Sequence, residues 1–117
     1  MSRGVLLRKI KLAIPTKEDG GVKDVVSDVF GRAKTFTIIK IEKKKVKNIE
    51  VIQNPAVSYN HGAGPIVVKM LTDKGVNTVV AGEFGPGVST LLEHFNVAKI
   101  EVERGKRVTE AIKQFLK

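Results

Sequence analysis

The chain carries few groups able to do covalent or metal chemistry. It has two histidines, one tyrosine and no cysteine, so disulfides and thiolate ligands are excluded. A metal would have to be held by imidazole, carboxylate, methionine or backbone groups. No Gly-Lys-Ser/Thr follows a predicted strand and no activated-serine motif is present, which removes the phosphate-loop and serine-hydrolase readings. What remains is concentrated in Asn54-Pro55-Ala56-Val57-Ser58-Tyr59-Asn60-His61-Gly62-Ala63-Gly64-Pro65, which holds one of the histidines and the tyrosine. Gly64-Pro65 stands directly before an apolar helical pattern. Proline at a first helical position gives up an N–H that had no partner, and the remaining first-turn N–H groups favour an anion. The same device recurs at Gly82-Glu83-Phe84-Gly85-Pro86-Gly87.

Each candidate has a functional and a structural reading. His61 can ligate a metal from its loop, or hydrogen-bond backbone to hold the glycine-rich turn. One histidine does not by itself define a metal site. Arg32 can make a forked contact to an anion or pair with Glu83; Glu83 is otherwise a solvated loop carboxylate. Tyr59 and Phe84 wall a pocket or pack their loops. His94 sits near a helix C-terminus, where a cation is favourable, and is read as structural. Met70 fits the core face of its helix.

The elements that must position these residues follow from periodicity. Ile10, Leu12 and Ile14 alternate with Lys11 and Ala13, a strand that Pro15 is expected to stop, preceded by an extension over residues 1–9. Thr16 to Ser27 is a polar loop. Thr35 to Glu42 is β-branched and aromatic, and Val46 to Gln53 alternates apolar with polar, so the two make a hairpin across Lys43-Lys44-Lys45. Helices are expected from Pro65 to about Lys74, stopped by Gly75, and from Pro86 to about Phe95. Val76 to Ala81 is a continuous apolar run, a strand buried on both faces. Val97 to Glu103 is the last strand, and Val108, Ala111, Ile112, Phe115 and Leu116 are the stripe of a final helix.

The order β-β-β-α-β-α-β-α, with right-handed crossovers and one antiparallel hairpin, gives an α/β chain with a five-stranded mixed sheet in the order 3-2-1-4-5, strand 2 reversed. The carboxyl ends of the other strands then bring Pro15-Thr16, the loop Asn54–Gly64, Gly82–Gly87 and Arg104–Lys106 to one edge. The entry to strand 2, Phe30-Gly31-Arg32, lies there too. Ligands of open α/β sheets bind at such an edge, where the strand order reverses. The candidate ligand-binding residues are therefore His61, Gly62, Gly64, Arg32, Gly85, Gly87 and Thr16, with His61 the one candidate metal ligand. The triple lysine falls at the opposite edge and reads as a solvated turn.

Length and composition set the frame. One domain over residues 1–117 is expected, with enough chain to bury a core without disulfides or metal. No stretch has membrane-spanning length and no signal-peptide pattern opens the chain, so a cytoplasmic protein with no membrane partner is expected. The formal net charge of +9 favours anionic partners, nucleic acid or an anionic cofactor among them, or simply keeps the surface soluble.

Ile10-Lys11-Leu12-Ala13-Ile14-Pro15-Thr16, Val29-Phe30-Gly31-Arg32-Ala33, Asn54-Pro55, His61-Gly62-Ala63-Gly64, Gly82 with Gly85-Pro86-Gly87, and Thr109-Glu110-Ala111-Ile112 together resemble the dinitrogenase iron–molybdenum cofactor biosynthesis family over residues 10–117. The resemblance implies a ribonuclease H-like three-layer α/β sandwich. It also implies a non-catalytic domain that binds or carries the iron–molybdenum cofactor, a related iron–sulfur cluster or a precursor, with a cluster-donor or acceptor protein as partner. Many members have His before Phe-Gly-Arg; here Val29 stands there, leaving His61 as the one motif histidine. The alternative is a basic nucleic-acid-binding or protein-interaction module without nuclease activity. Leu12, Ala13 and Ile14 offer none of the carboxylates that two-metal hydrolysis needs, and no aromatic series supports base stacking.

Overall fold

The computed structural model describes residues 9–59 and 62–116. Its strands are β1 (Lys9–Thr16), β2 (Thr35–Glu42), β3 (Lys45–Gln53), β4 (Thr78–Ala81) and β5 (Ala98–Glu101). Its helices are α1 (Ala63–Asp73), α2 (Pro86–His94) and α3 (Val108–Ala111), with 3-10 turns at Phe30–Arg32 and Lys113–Phe115. The strands form one sheet in the order β3-β2-β1-β4-β5. β2 is antiparallel to both neighbours, and β1, β4 and β5 run parallel. This is the mixed five-stranded α/β sheet that the crossovers dictate.

Both faces of the sheet are apolar. Ala13, Phe36, Ile38, Val79 and Ala81 pack with α1 residues Val67, Val68 and Leu71 and with Leu92 of α2. Leu12, Ile14, Ile39, Ile41 and Val80 pack on the other face with Val26, Val108, Ala111 and Ile112. β4 is buried along its whole length, as a continuous apolar run between two parallel neighbours requires.

Several expectations are corrected, among them the strands expected over Val76–Ala81 and Val97–Glu103, which are shorter, at Thr78–Ala81 and Ala98–Glu101. Pro15 does not stop β1, which runs through to Thr16. The Pro15 carbonyl accepts from Ser27 N–H at 2.8 Å, on the side away from β2. Its missing N–H therefore costs no bond in the β1–β2 ladder. β1 starts at Lys9, inside the expected extension; residues 1–8 lie outside the described residues. α1 begins at Ala63 after Gly62, so Pro65 is third in the helix, still within the turn whose N–H groups lack intrahelical partners. The final helix makes one α-turn and then tightens into a 3-10 turn, while Phe115 and Leu116 keep packing on the core. The hairpin loop is Lys43-Lys44, both left-handed at φ 53° and 65°, the backbone that matches strand twist in a two-residue loop. Among the described residues, no helix is long and apolar enough to cross a membrane.

Candidate functional site

The strand register levels one edge. Thr16 faces Thr35, and Thr35 faces Gln53. The parallel pairs Leu12–Thr78 and Ala13–Val79 put the end of β4 beside the end of β1. The 3-10 turn, the 54–59 segment, the starts of α1 and α2 and the 103–106 turn all leave from this edge.

Side chains and close backbone approaches tie these segments together. Asn54 is buried. Its amide donates to the Gly31 carbonyl at 3.0 Å and the Ala33 carbonyl at 2.8 Å, and its Oδ1 accepts Ala56 N–H at 2.9 Å. Phe30 lies between Phe36 and Phe84, with ring centroids 5.4 and 6.1 Å away. Phe84 thus packs its loop against the 3-10 turn. A methyl group on Gly31 would come 3.4 Å from the Gly64 nitrogen, and one on Gly64 would come 2.7 Å from Val88 Cγ2. The 3-10 turn, the start of α1 and the first turn of α2 therefore meet at glycines.

Both helix starts are capped by glycine with no side-chain hydrogen bond. Gly62 precedes α1 at φ 77° and Gly85 precedes α2 at φ 79°. A positive-φ cap is available to glycine at little steric cost, and among the described residues no side chain caps the first-turn amides, which face the edge.

Of the sequence-derived site residues, the fold brings Gly62, Gly64, Arg32, Gly85 and Gly87 to this edge. Arg32 is exposed at the end of the 3-10 turn. A methyl group on Gly85 or Gly87 would meet nothing within 4 Å among the described residues. His61 lies outside the described residues, directly before Gly62. Thr16 reaches the edge only through its backbone position. Its side chain is fully buried, with its hydroxyl 2.6 Å from that of Thr35 and 3.2 Å from that of Thr37, which removes it from ligand contact. Glu83 pairs with Arg104 at 3.5 Å, both groups well exposed. His94 packs edge-on to Phe95 at the end of α2, the structural role expected. Val29 is 51% exposed at the same edge. In the sequence Asn54 opens the loop and belongs to the motif Asn54-Pro55, but nothing there assigns it this bonding role; the signal for it is an asparagine able to accept the amide two residues on, the spacing of an Asx turn.

Among the described residues no group of three or more His, Asp or Glu side chains lies close enough to hold a metal ion, and the chain has no cysteine. The edge is therefore suited to an anion held from outside by amides and a guanidinium. The described residues of the edge do not form a closed metal cage.

Gly64→Ala tests the meeting point. Alanine in a helix ordinarily gains about 1 kcal/mol over glycine, but here the methyl meets a stiff β-branched side chain. A net loss of about 1–3 kcal/mol is expected from overpacking, with most of it recovered in Gly64→Ala/Val88→Ala, read from urea midpoints. A stabilised single variant would show that the helix starts do not abut there.

The fold and edge together define a mixed-sheet α/β protein with two glycine-capped helix starts side by side. Residues 8–117 match the family described as dinitrogenase iron-molybdenum cofactor; the chain belongs to that family. It is 27% identical over 116 residues to an uncharacterized protein of Methanocaldococcus jannaschii, covering 99% of this chain and 93% of that one. It is similar in structure to the apo form of the orange protein of Desulfovibrio gigas, with a TM-score of 0.79, 26% identity, and 91% and 86% of the two chains covered. A Thermotoga protein provisionally named a NifB protein is 34% identical at a TM-score of 0.72, with 91% and 86% covered.

Proposed function

We propose that this chain is a non-catalytic carrier that holds an anionic iron–molybdenum-type or iron–sulfur cluster, or a precursor of one, at the carboxyl edge of its sheet. The cluster is cargo, taken from one protein and passed to another. The observation that carries this reading is the close approach of Gly64 to Val88, which sets two glycine-capped helix starts side by side in a chain of the cofactor family. Two positive helix ends and Arg32 would share the cluster's charge. His61, next to the α1 cap, is the one candidate direct ligand, and Gly62, Gly64, Gly85 and Gly87 let the backbone approach. With no thiolate, binding is reversible, as suits a carrier. A relative described in an apo form is consistent with cargo that leaves. In the same reading the whole chain is one cytoplasmic domain of the ribonuclease H-like sandwich class.

The test is anaerobic reconstitution with ferrous iron, sulfide and molybdate, followed by metal analysis and visible absorption. Stoichiometric metal with a charge-transfer band is expected, weakened about tenfold or more in His61→Ala and tightened in Val29→His. No retained metal, with His61→Ala indistinguishable from the parent, would overturn the reading.

A further inference from the structure

At the other margin of the sheet, β3 is an edge strand of nine residues. Asn54 N–H bonds the Lys34 carbonyl at 3.1 Å, and Thr35 is paired with Gln53. Antiparallel alternation then points the N–H and C=O groups of Ile49, Val51 and Gln53 away from β2. No backbone bond from a described residue takes them up. An open edge of this length is a template for another strand.

The flanks of that edge are apolar on both faces. The register shift between Lys40 and Ile41 pairs Val46 with Ile41 and Ile49 with Ile39, so Val46 joins Ile49 and Val51 on one face, 38–42% exposed. Across the sheet, Pro65, Ile66, Lys69, Met70, Asp73 and Lys74 of the α1 region line an open groove of about 640 Å³. Lys74 reaches Glu50 of β3 at 3.3 Å, and Met70 and Ile52 pack on the same core, which places the groove beside β3. A strand laid along β3 would direct alternate side chains into this groove and the others alongside Val46, Ile49 and Val51.

Charge selects the occupant. The acids nearby are taken: Glu50 by Lys74 and Asp73 by Lys69. Lys43, Lys44, Lys45 and Lys47 have no ion-pair partner among the described residues. Lysines on and beside an open edge strand are a usual device against edge-to-edge self-association. The same four lysines attract a strand that brings carboxylates.

We infer that the β3 edge and the α1 groove form a strand-addition site for an extended segment of a partner protein in which acidic and apolar residues alternate. Main-chain bonds to Ile49, Val51 and Gln53 supply affinity, and the groove and lysines supply selectivity. This surface borders the glycine-capped edge at Gln53 and the first turn of α1, but it uses the outer side of β3 and α1 and does not depend on what that edge holds.

The test is an amide and methyl NMR titration of the full chain with a twelve-residue peptide alternating glutamate and valine. A lysine–valine peptide and a single-stranded oligonucleotide of equal charge run alongside. Expected are slowed exchange at the Ile49, Val51 and Gln53 amides and shifts of the Ile66 and Met70 methyls. Affinity should fall about tenfold or more in Lys45→Glu/Lys47→Glu and be lost in Ile49→Pro, which deletes an outward N–H and spares the bonds to β2. Should Ile49→Pro not fold, the glutamate–valine peptide methylated on alternate backbone nitrogens makes the same deletion from the other side and is expected not to bind. Absence of binding, binding without amide protection, tighter binding of the oligonucleotide to the same lysines, or dimerisation through β3 would each overturn the inference.

Discussion

Phe30→Ala is expected to lower the unfolding free energy by about 3–5 kcal/mol, the range for emptying a buried aromatic site. Phe30 is 1% exposed and stands between Phe36 of β2 and Phe84 of the 82–85 loop. Its loss therefore removes the packing that holds the 3-10 turn to the sheet and the Phe84 loop to the turn. Phe30→Leu fills most of the volume and is expected to cost less than half as much. Urea unfolding measures both. A single-domain protein of ordinary stability has only about 5–15 kcal/mol to lose, so the alanine variant should also melt much lower. A loss below about 1 kcal/mol would mean that the three rings do not anchor the edge.

Asn54→Ala is expected to cost about 2–4 kcal/mol although it removes little apolar surface. One amide side chain satisfies a carbonyl of the 3-10 turn, the carbonyl of Ala33 just after it and one N–H of the following loop, all on buried residues. Truncation leaves three backbone groups to be solvated or stranded, at about 1–3 kcal/mol for each that stays unpaired. Asn54→Asp separates bonding from shape. It keeps an acceptor for Ala56 N–H but turns a carboxylate oxygen on the Gly31 and Ala33 carbonyls, so it is expected to be at least as destabilising as alanine. An aspartate variant as stable as the parent would sink this assignment.

These two residues also mark where the sequence could be read and where it could not. The strand order was legible because it follows from the hairpin between β2 and β3 and from the handedness of two crossovers, and neither needs side-chain detail. β2 was legible to the residue, since Thr35 to Glu42 is β-branched and aromatic with turns on both sides. Pro15 was misread because a proline's effect depends on which way its nitrogen points, and that is set by the partner strand. The start of α1 was misplaced because Pro65 is compatible with several first-turn positions, whereas Pro86 begins α2 as expected. The edge itself was legible as a meeting of glycines. The reasons for those glycines were not: contact between Gly64 and Val88, or the approach of Gly82 to the Arg104 backbone, joins residues distant in the chain. Thr16 was placed at the correct edge but with the wrong exposure. Its hydroxyl belongs to a buried threonine cluster that locks β1 to β2 and, through Gly21 N–H on Thr37, holds the 17–24 loop.

In the proposed carrier reading, the family suggests the cargo and the fold suggests the place. A charged cluster without thiolate ligands needs several weak contacts at once, and the carboxyl edge supplies amides from two helices together with Arg32. The basic hairpin at the opposite margin is the competing destination for any anion, because the net charge of the chain alone would draw one there.

The measurement that separates these destinations is an anaerobic amide titration with a soluble molybdenum–sulfur anion, followed at moderate salt so that loose charge attraction is screened. Saturable shifts confined to Gly62, Gly64, Gly87, Val88 and Arg32, with the hairpin unmoved, are the expected result. Shifts centred on Lys43, Lys44 and Lys45 that fade with salt, leaving the glycine-capped helix starts untouched, would contradict a cluster site at the carboxyl edge.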